Sequence, residues 1–242
     1  TRLDDRLANT APISMLSLTA EHLISDDRKK AYRKYVTKLY KQTFEYLKKS
    51  KTYESEERIF KRDIYDLLGT VGKNTRARNE LLQIGDNYLS KILEGNVTDQ
   101  IADMTLIPVA VKIAFEEHPH KYYASSVEKL KSLTNTLQRN HLVLGIGSIK
   151  DPALATKARE LIFDKSLRKN ETVKFLMGHF AAQKDKSIPW DWFVANIQRI
   201  QKAVPTDYYD NLVYLGSYFC TKKDIKKIEN FFKPRVDDWR GG

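Results

Sequence analysis

Apolar side chains recur at intervals of three and four residues along almost the whole chain, which is the spacing of one face of an α-helix. The alternation of apolar and polar residues that marks a β-strand is hard to find, and only 10 of the 242 residues are glycine. The apolar stripes lie at residues 32–47, 59–68, 81–93, 101–115, 122–137, 141–149, 154–162, 173–180, 193–204 and 225–232. The chain is therefore predicted to be all-α.

Prolines, glycines and polar capping residues predict where several of these helices begin and end. Asp151 precedes Pro152, which combines an N-cap residue with a proline at the first helical position, where its missing N–H costs nothing. Gly95 supplies a C-terminal stop. Thr221 followed by Asp224 is an imperfect capping box, because the third position of that motif normally holds Glu or Gln.

Three of these stripes predict the extent of longer helices. One long helix is expected to carry the stripe at residues 32–47. Pro108 lies inside the stripe at residues 101–115 and is expected to kink or divide that helix. A single helix is expected to run from Pro189 to Pro205.

The order of the helices favours a repetitive architecture. About a dozen helices joined by short links favour antiparallel neighbours. No linker rich in Pro, Ser or Gly divides the chain, so residues 1–242 are expected to form a single helical domain. The succession of similar helix pairs favours an α–α superhelix, a solenoid of the armadillo or HEAT type with a curved inner surface. A compact bundle is the competing architecture, because periodicity alone does not separate the two.

The formal net charge of +11 raises the question of nucleic-acid binding. Nucleic-acid binders concentrate Lys and Arg on one face or in one run, often between exposed aromatic residues. Here the basic residues are spread over the chain, and nearly every cluster has acidic neighbours. The densest stretch, residues 28–51, is expected to be helical with its lysines in solvent. The charge pattern therefore argues against a nucleic-acid partner, and no apolar run approaches the roughly 20 residues of a membrane span.

The residue groups that carry common hydrolytic chemistry are missing. None of the five histidines belongs to a His-Glu-x-x-His frame, the spacing that places two zinc ligands on one helix face. There is no glycine-rich phosphate loop and no Gly-x-Ser-x-Gly nucleophile elbow. Cys220 is the only cysteine, which excludes an internal disulfide and fits a reducing compartment, with the cytoplasm slightly favoured. We expect no catalytic and no metal-binding residues in this chain.

Two features of the second half receive structural interpretations. His179 lies beside Met177 and Phe180 in an apolar stripe, so a partly buried, hydrogen-bonded histidine is expected. Gly145 and Gly147 lie in an apolar helix, where small residues permit close packing of a second helix.

Three stretches in the second half share their order and spacing with one known family. They are LGIGSIKDPAL at residues 144–154 with ARELI at 158–162 and LRKNE at 167–171, PWDWFVAN at 189–196, and FCT at 219–221 with IENFF at 228–232. In this order they resemble the C-terminal helical domain of the aminopeptidase N family, particularly its puromycin-sensitive and endoplasmic-reticulum relatives. The resemblance is good over residues 141–236 and weaker, but compatible in helix order, over residues 39–137.

Two positions depart from the family pattern. Asn170 and Glu171 stand where the family usually has Gln-Asp, and Ile197 stands where the helix often carries a second Trp. These departures bear on the role of the turn at residues 168–171 rather than on the fold. The chain also ends at Gly242, where relatives tend to continue into another helix, so the resemblance implies a fragment of a larger protein.

The helical pattern and the resemblance assign roles to a small set of residues. Structural roles are expected for a helix-opening proline and for large aromatic residues, each able to bury about 150–250 Å². These residues are Pro152, Trp190, Trp192, Phe193, Phe231 and Phe232. By resemblance, the turn that contains Arg168 can face the cavity that this domain helps to enclose over the zinc site. Arg168 is therefore the candidate substrate-binding residue.

The resemblance implies a function that belongs to a larger enzyme. The family's peptidases are zinc enzymes that remove N-terminal residues from peptides, and their zinc-binding and N-terminus-recognising motifs lie in an earlier catalytic domain. The chain is then the cap that encloses the active-site chamber and contributes to peptide binding, without catalysis by itself. It would hold no cofactor, since zinc belongs to the parent's catalytic domain, and its partners would be that domain and peptide substrates. The alternative is an independent α-solenoid scaffold that binds a protein or nucleic acid on its concave face.

Overall fold

The computed structural model describes residues 6–49, 55–96, 103–235 and 237. These residues form fourteen α-helices with short 3-10 and π-helical turns between some of them, and no β-strand occurs among them. The prediction of an all-α fold is confirmed. None of the helices in the described part of the chain is long and apolar enough to cross a bilayer.

The chain divides into two compact units, Thr1–Ala114 and Phe115–Gly242. We call them the first and the second unit and describe each by itself. The expectation of one domain and of a solenoid arrangement therefore stays a prediction.

The first unit consists of helices that pack around one apolar core. The helices are α1 (Arg6–His22), α2 (Lys29–Leu39), α3 (Lys41–Lys49), α4 (Ser55–Asp66), α5 (Thr75–Glu94) and α6 (Ile107–Glu117), and the boundary between the units falls within α6. Helix α4 continues into a π-helical turn (Leu67–Val71), in which the Gly72 N–H donates to the Leu67 carbonyl at 2.9 Å. Helix α1, which contains Pro12, lies outside the stripes found in the sequence.

The stripe at residues 32–47 lies on two helices, so the prediction of one long helix is wrong. Tyr40, with φ −102° and ψ 11°, separates α2 from α3. Its ring is buried, as are Val36 and Phe44, whereas Leu39 is 38% exposed. The change of direction at Tyr40 therefore lets both helices contribute apolar residues to the same core.

Pro108 neither kinks nor divides its helix, contrary to the sequence-based expectation. A 3-10 turn (Met104–Leu106) leads directly into α6, and Pro108 occupies the second position of that helix. A proline is tolerated there because the first N–H groups of a helix have no intrahelical partner. Residues 101 and 102 of the predicted helix lie outside the described residues.

Helices α5 and α6 approach each other closely at a glycine. A Cβ atom on Gly85 would lie only 2.4 Å from the carbonyl oxygen of Ala110 and 3.0 Å from the Ala114 Cβ. The backbone of α6 therefore rests directly on α5, and no larger residue fits at this position without moving one of the two helices.

The second unit contains the remaining eight helices. They are α7 (Pro119–Ser132), α8 (Thr136–Gly147), α9 (Pro152–Glu160), α10 (Lys169–Ala182), α11 (Ser187–Ala195), α12 (Ile197–Ala203), α13 (Tyr209–Val213) and α14 (Lys222–Phe232). Helices α8 and α10 make the most extensive contact. A Cβ on Gly147 would lie 3.1 Å from the Phe175 carbonyl oxygen, which confirms that a small residue in α8 permits close helix packing.

The predicted helix ends that depend on capping residues are confirmed. The Asp151 Oδ1 accepts from the Leu154 N–H at 2.8 Å at the start of α9. The Thr221 Oγ1 accepts from the Asp224 N–H at 3.1 Å at the start of α14. Gly95 ends α5 in the left-handed conformation, with φ 82°.

The helix expected from Pro189 to Pro205 is two helices, so that prediction is wrong. Asn196, with φ −112° and ψ 11°, separates α11 from α12. Its side-chain Nδ2 donates to the Trp192 carbonyl at 2.9 Å, and its own N–H donates to the same oxygen at 3.1 Å. An asparagine side chain competes in this way with the helical hydrogen bonds of the backbone, which favours a break.

Candidate functional site

Arg168, the substrate-binding candidate, is exposed at the N-cap of α10. Its backbone N–H donates to Glu171 Oε2 at 2.8 Å, which satisfies a donor next to the helix start. Its Nη2 donates to the Thr134 carbonyl at 3.2 Å. The guanidinium is thus anchored at one edge at the protein surface.

Directly below Arg168, a buried ion pair joins α8 to α10. The Arg139 Nε donates to Glu171 Oε1 at 2.7 Å, and its Nη2 donates to Glu171 Oε2 at 2.8 Å. Both side chains are at least 95% buried. Arg139 also donates to the carbonyls of Leu130, Leu133 and Ser166, so the guanidinium is held from several sides.

The position of Glu171 gives this departure from the family pattern a structural role. Burial raises the pKa of Glu171, but hydrogen bonds from the Arg139 side chain and the Arg168 backbone outweigh burial and leave the pKa below its ordinary value. Glu171 therefore stays ionised and fixes the turn that presents Arg168. A Glu three residues after a helix start was the available sequence signal, but its arginine partner lies 32 residues away.

A second polar cluster in this unit lies between α9, α10 and α11. Arg159, 6% exposed, approaches the fully buried His179 with 3.2 Å between Nη1 and Nε2, and its Nη2 donates to Thr156 Oγ1 at 2.9 Å. The guanidinium also lies 5.7 Å from the centre of the Trp192 ring. Because arginine only donates, His179 Nε2 must accept here, which assigns the proton of the neutral ring to Nδ1.

The surroundings of His179 make it a poor acid or base near neutral pH. Burial and, to a smaller extent, the charge of Arg159 lower its pKa to about 3. Phe175 stacks on the imidazole with ring centres 5.6 Å apart, and Nδ1 has no hydrogen-bond partner in the described part of the chain. The expected hydrogen-bonded histidine is therefore more deeply buried than predicted and is satisfied at one nitrogen.

The aromatic residues assigned structural roles lie in different environments. Trp190 and Phe193 are fully buried and pack against Phe231 and Phe232, with ring centres 5.4–6.5 Å apart. Trp192 is only partly buried and packs on Phe163, 5.7 Å away. The helix-opening Pro152 is exposed at the first position of α9.

The first unit contains a concave basic surface that the sequence analysis did not single out. A cavity of about 540 Å³ opens between α2, the start of α3 and the turn before α5. Its lining residues are Lys30, Arg33, Lys34, Thr37, Lys38, Lys41, Gly72, Lys73, Asn74 and Thr75. We call it the α2 pocket. The exposed lysines at positions 30, 34, 38 and 41, which belong to the dense basic stretch at residues 28–51, thus line a pocket at the protein surface.

The described residues offer no cluster of side chains for metal binding. Among residues 6–49, 55–96, 103–235 and 237, no group of three or more His, Cys, Asp or Glu side chains could hold a metal ion. The donors that zinc prefers are therefore not assembled here, and zinc does not fit this part of the protein. Cys220 is exposed at the surface.

Comparison with known protein families matches the described helices to a family of domains. Residues 4–240 match the ERAP1-like C-terminal domain. No match was found to a protein whose function has been curated. The family match covers nearly the whole chain and agrees with the resemblance carried by the three motifs of the second half. The chain belongs to the family of ERAP1-like C-terminal domains, the helical domain of aminopeptidases of the aminopeptidase N type.

Proposed function

We propose that the chain is the C-terminal cap of a zinc-dependent aminopeptidase, which encloses the active-site chamber and contributes to peptide binding. The observation that supports this function is the family match over residues 4–240. The zinc of such an enzyme belongs to a separate catalytic domain, where it would activate the water that attacks the peptide bond. This chain would provide walls and binding contacts.

Arg168 is the proposed peptide contact. Its guanidinium is exposed, and within the described part of the chain it makes one hydrogen bond, to the Thr134 carbonyl, which uses only one of its five N–H donors. The buried Arg139–Glu171 pair fixes the helix start from which Arg168 extends. A positioned arginine of this kind suits the carboxylate or the carbonyl groups of a bound peptide.

The polar groups of the second unit support a role without catalysis. His179 and His141 are buried, and burial lowers their pKa to about 3 and about 4, so both are neutral at physiological pH. Neither belongs to a metal-binding group in the described part of the chain. We therefore expect no peptide hydrolysis by this chain alone.

The proposal is tested by an aminopeptidase assay on a fluorogenic aminoacyl amide. The full-length parent protein and the isolated 242-residue chain are compared, each with and without a zinc chelator. We expect chelator-sensitive activity in the parent and none in the chain. A parent that is inert over a broad panel of aminoacyl groups would contradict the peptidase function and favour the scaffold alternative.

A further inference from the structure

The charge of the α2 pocket has one sign. Six of its ten lining residues are Lys or Arg, and the other four are neutral. Those on α2 lie at the spacing of one helix face, at residues 30, 33, 34 and 38, and Thr37 lies between them. The wall on this side is therefore a row of cations with no carboxylate among them.

Five of the pocket cations have no counter-charge among the residues that the structure describes. Neither a hydrogen bond nor an ion pair joins them to the described part of the chain, and all five side chains are exposed. They are Lys30, Arg33, Lys34, Lys38 and Lys41. Cations that border the pocket are paired instead: Lys29 lies 2.6 Å from Asp26, and Arg76 contacts Glu45.

The arrangement is unfavourable for the helix by itself. Lys30, Lys34 and Lys38 are four residues apart, and like charges at this spacing destabilise a helix. A bound anion would remove this repulsion, so an anionic ligand would stabilise the first unit as well as occupy the pocket.

The opposite wall adds further positive potential. It is the turn at residues 72–75, in which Lys73 adopts a left-handed conformation with φ 47° and Asn74 caps α5. A Cβ on Gly72 would lie 3.1 Å from Thr37 Oγ1, so the turn lies close against α2. The N-terminus of α5, which carries the positive end of the helix dipole, therefore borders the same cavity as the lysines of α2.

The lining of the α2 pocket restricts the class of anion. The pocket is open to solvent, and its volume of about 540 Å³ leaves room for a small ligand without enclosing it. An extended nucleic acid would require a basic track with aromatic platforms for its bases, and no aromatic residue lines the pocket. A single carboxylate would leave most of Lys30, Arg33, Lys34, Lys38 and Lys41 without a partner. Clustered phosphate groups carry enough charge in a small volume, and Lys and Arg are their usual ligands.

We propose that the α2 pocket binds a small ligand that carries several phosphate groups close together. All residues that line this site belong to the first unit, whereas Arg168 belongs to the second. The proposal does not depend on the peptidase function.

The proposal is tested by calorimetric titration of the chain with inositol hexakisphosphate and, separately, with inorganic tripolyphosphate. We expect saturable binding at one site, with an affinity that falls steeply as the salt concentration rises. The test variant is Lys34→Glu, which reverses the central charge of the row. Its affinity should fall at least about tenfold, because an attraction is replaced by a repulsion.

A matched control is Lys226→Glu on α14. Lys226 is an exposed helical lysine with another lysine, Lys222, four residues before it, and it lies outside the pocket. Its reversal should leave the affinity within about twofold of the unchanged chain, since charges outside the pocket are screened. Equal weakening by the two variants, or no saturable binding of either probe, would overturn the proposal.

Thermal unfolding without ligand excludes damage to the fold as the cause. Lys34→Glu creates two favourable pairs, with Lys30 and Lys38, so the unliganded variant should unfold at the same or a higher temperature. Loss of binding together with a lowered unfolding temperature would contradict a direct role of Lys34 in the pocket.

Two further arms identify the source of the phosphates. Binding to vesicles that contain phosphatidylinositol bisphosphate, lost in Lys34→Glu, would support the site as one for a lipid headgroup. Binding of the soluble probes alone would support a free phosphate compound. Poly-glutamate or duplex RNA that binds as tightly as inositol hexakisphosphate would overturn the proposal, because the surface would then attract polyanions in general.

Discussion

Buried charges of the second unit differ in how well they are matched. Arg139 and Glu171 form a two-pronged pair in which carboxylate and guanidinium neutralise each other. Arg159, in contrast, faces a neutral histidine, and its Nε has no hydrogen-bond partner in the described residues. Burial lowers the pKa of Arg159, although not enough to neutralise a guanidinium. The Arg139–Glu171 pair fixes the start of α10. The contact between Arg159 and His179 makes the stability of the fold sensitive to pH.

Removal of Glu171 should destabilise the chain strongly. In Glu171→Ala, Arg139 remains buried without its partner, and we expect the free energy of unfolding to fall by about 3–5 kcal/mol. Urea denaturation measures the change. Replacement of both partners, Arg139→Met with Glu171→Leu, should recover most of the lost free energy of unfolding.

The control for this prediction is Glu128→Ala, whose exposed carboxylate pairs with Lys131 at the surface. Equal losses for Glu171→Ala and Glu128→Ala would contradict the role of the buried pair.

Stability should fall as the pH is lowered below neutrality, in part because of His179. Its pKa is about 3 in the folded chain, below the ordinary value of about 6.5, so the unfolded chain binds the proton more tightly. The stabilisation is complete above the unfolded pKa and is lost as the pH falls towards the folded pKa. Between these limits each such histidine contributes a slope of about 1.4 kcal/mol per pH unit.

The variant His179→Gln should flatten this pH dependence. Since His141 is also buried with a lowered pKa, about half of the histidine contribution to the slope should disappear. Urea denaturation at several pH values between about 7 and 5 measures the slope of the free energy of unfolding against pH. The control is His120→Gln, because His120 is exposed at the start of α7. An unchanged slope in His179→Gln would contradict the neutral, buried state of this histidine.

Arg168→Ala tests the proposed peptide contact in the full-length parent. Loss of a charge-assisted hydrogen bond should lower kcat/KM for a longer peptide about tenfold and leave hydrolysis of a short aminoacyl amide unchanged. The control, Lys169→Ala, removes the neighbouring exposed cation. Equal effects of both variants, or an equal effect of Arg168→Ala on both substrates, would contradict a specific contact between Arg168 and the peptide.

At the scale of elements, glycines determine how closely some helices pack. Gly85 permits α6 to lie on α5, and Gly147 permits α10 to lie on α8. Gly178, also within α10, has its nearest neighbouring atom 3.8 Å from the position of an added Cβ. A methyl group is therefore tolerated at Gly178 and excluded at Gly85.

Alanine substitutions at these two glycines should have opposite effects. Gly85→Ala should lower the free energy of unfolding by about 1–3 kcal/mol or more, because the new Cβ overlaps a backbone carbonyl that can move only with α6. Gly178→Ala should stabilise the chain by up to about 1 kcal/mol, since alanine favours the helix and fits without overlap. Thermal unfolding of both variants measures the difference. A Gly85→Ala variant as stable as the unchanged chain would contradict the close approach of α5 and α6.

At the scale of the whole molecule, local patterns predicted much of the secondary structure, whereas long-range contacts determine the sites. The apolar period predicted the all-α class, and the caps at Asp151 and Thr221 follow from residues within one helical turn. The break at Tyr40 carries no local capping signal, and the Tyr40 ring is buried in the core of the first unit. The Arg139–Glu171 pair and the α2 pocket each join residues more than thirty positions apart, which no period or motif reveals.

The measurement that tests the central claim most directly compares substrates of two lengths. The ratio of kcat/KM for a longer peptide to that for an aminoacyl amide is measured in the parent protein with and without this domain, and after the chain is added back. Thermal unfolding of the shortened parent verifies that its catalytic part remains folded. A cap that encloses the chamber and binds peptide predicts that the ratio falls without the domain and rises again when the chain is restored. A ratio that stays the same while the catalytic part is folded and active would contradict the account.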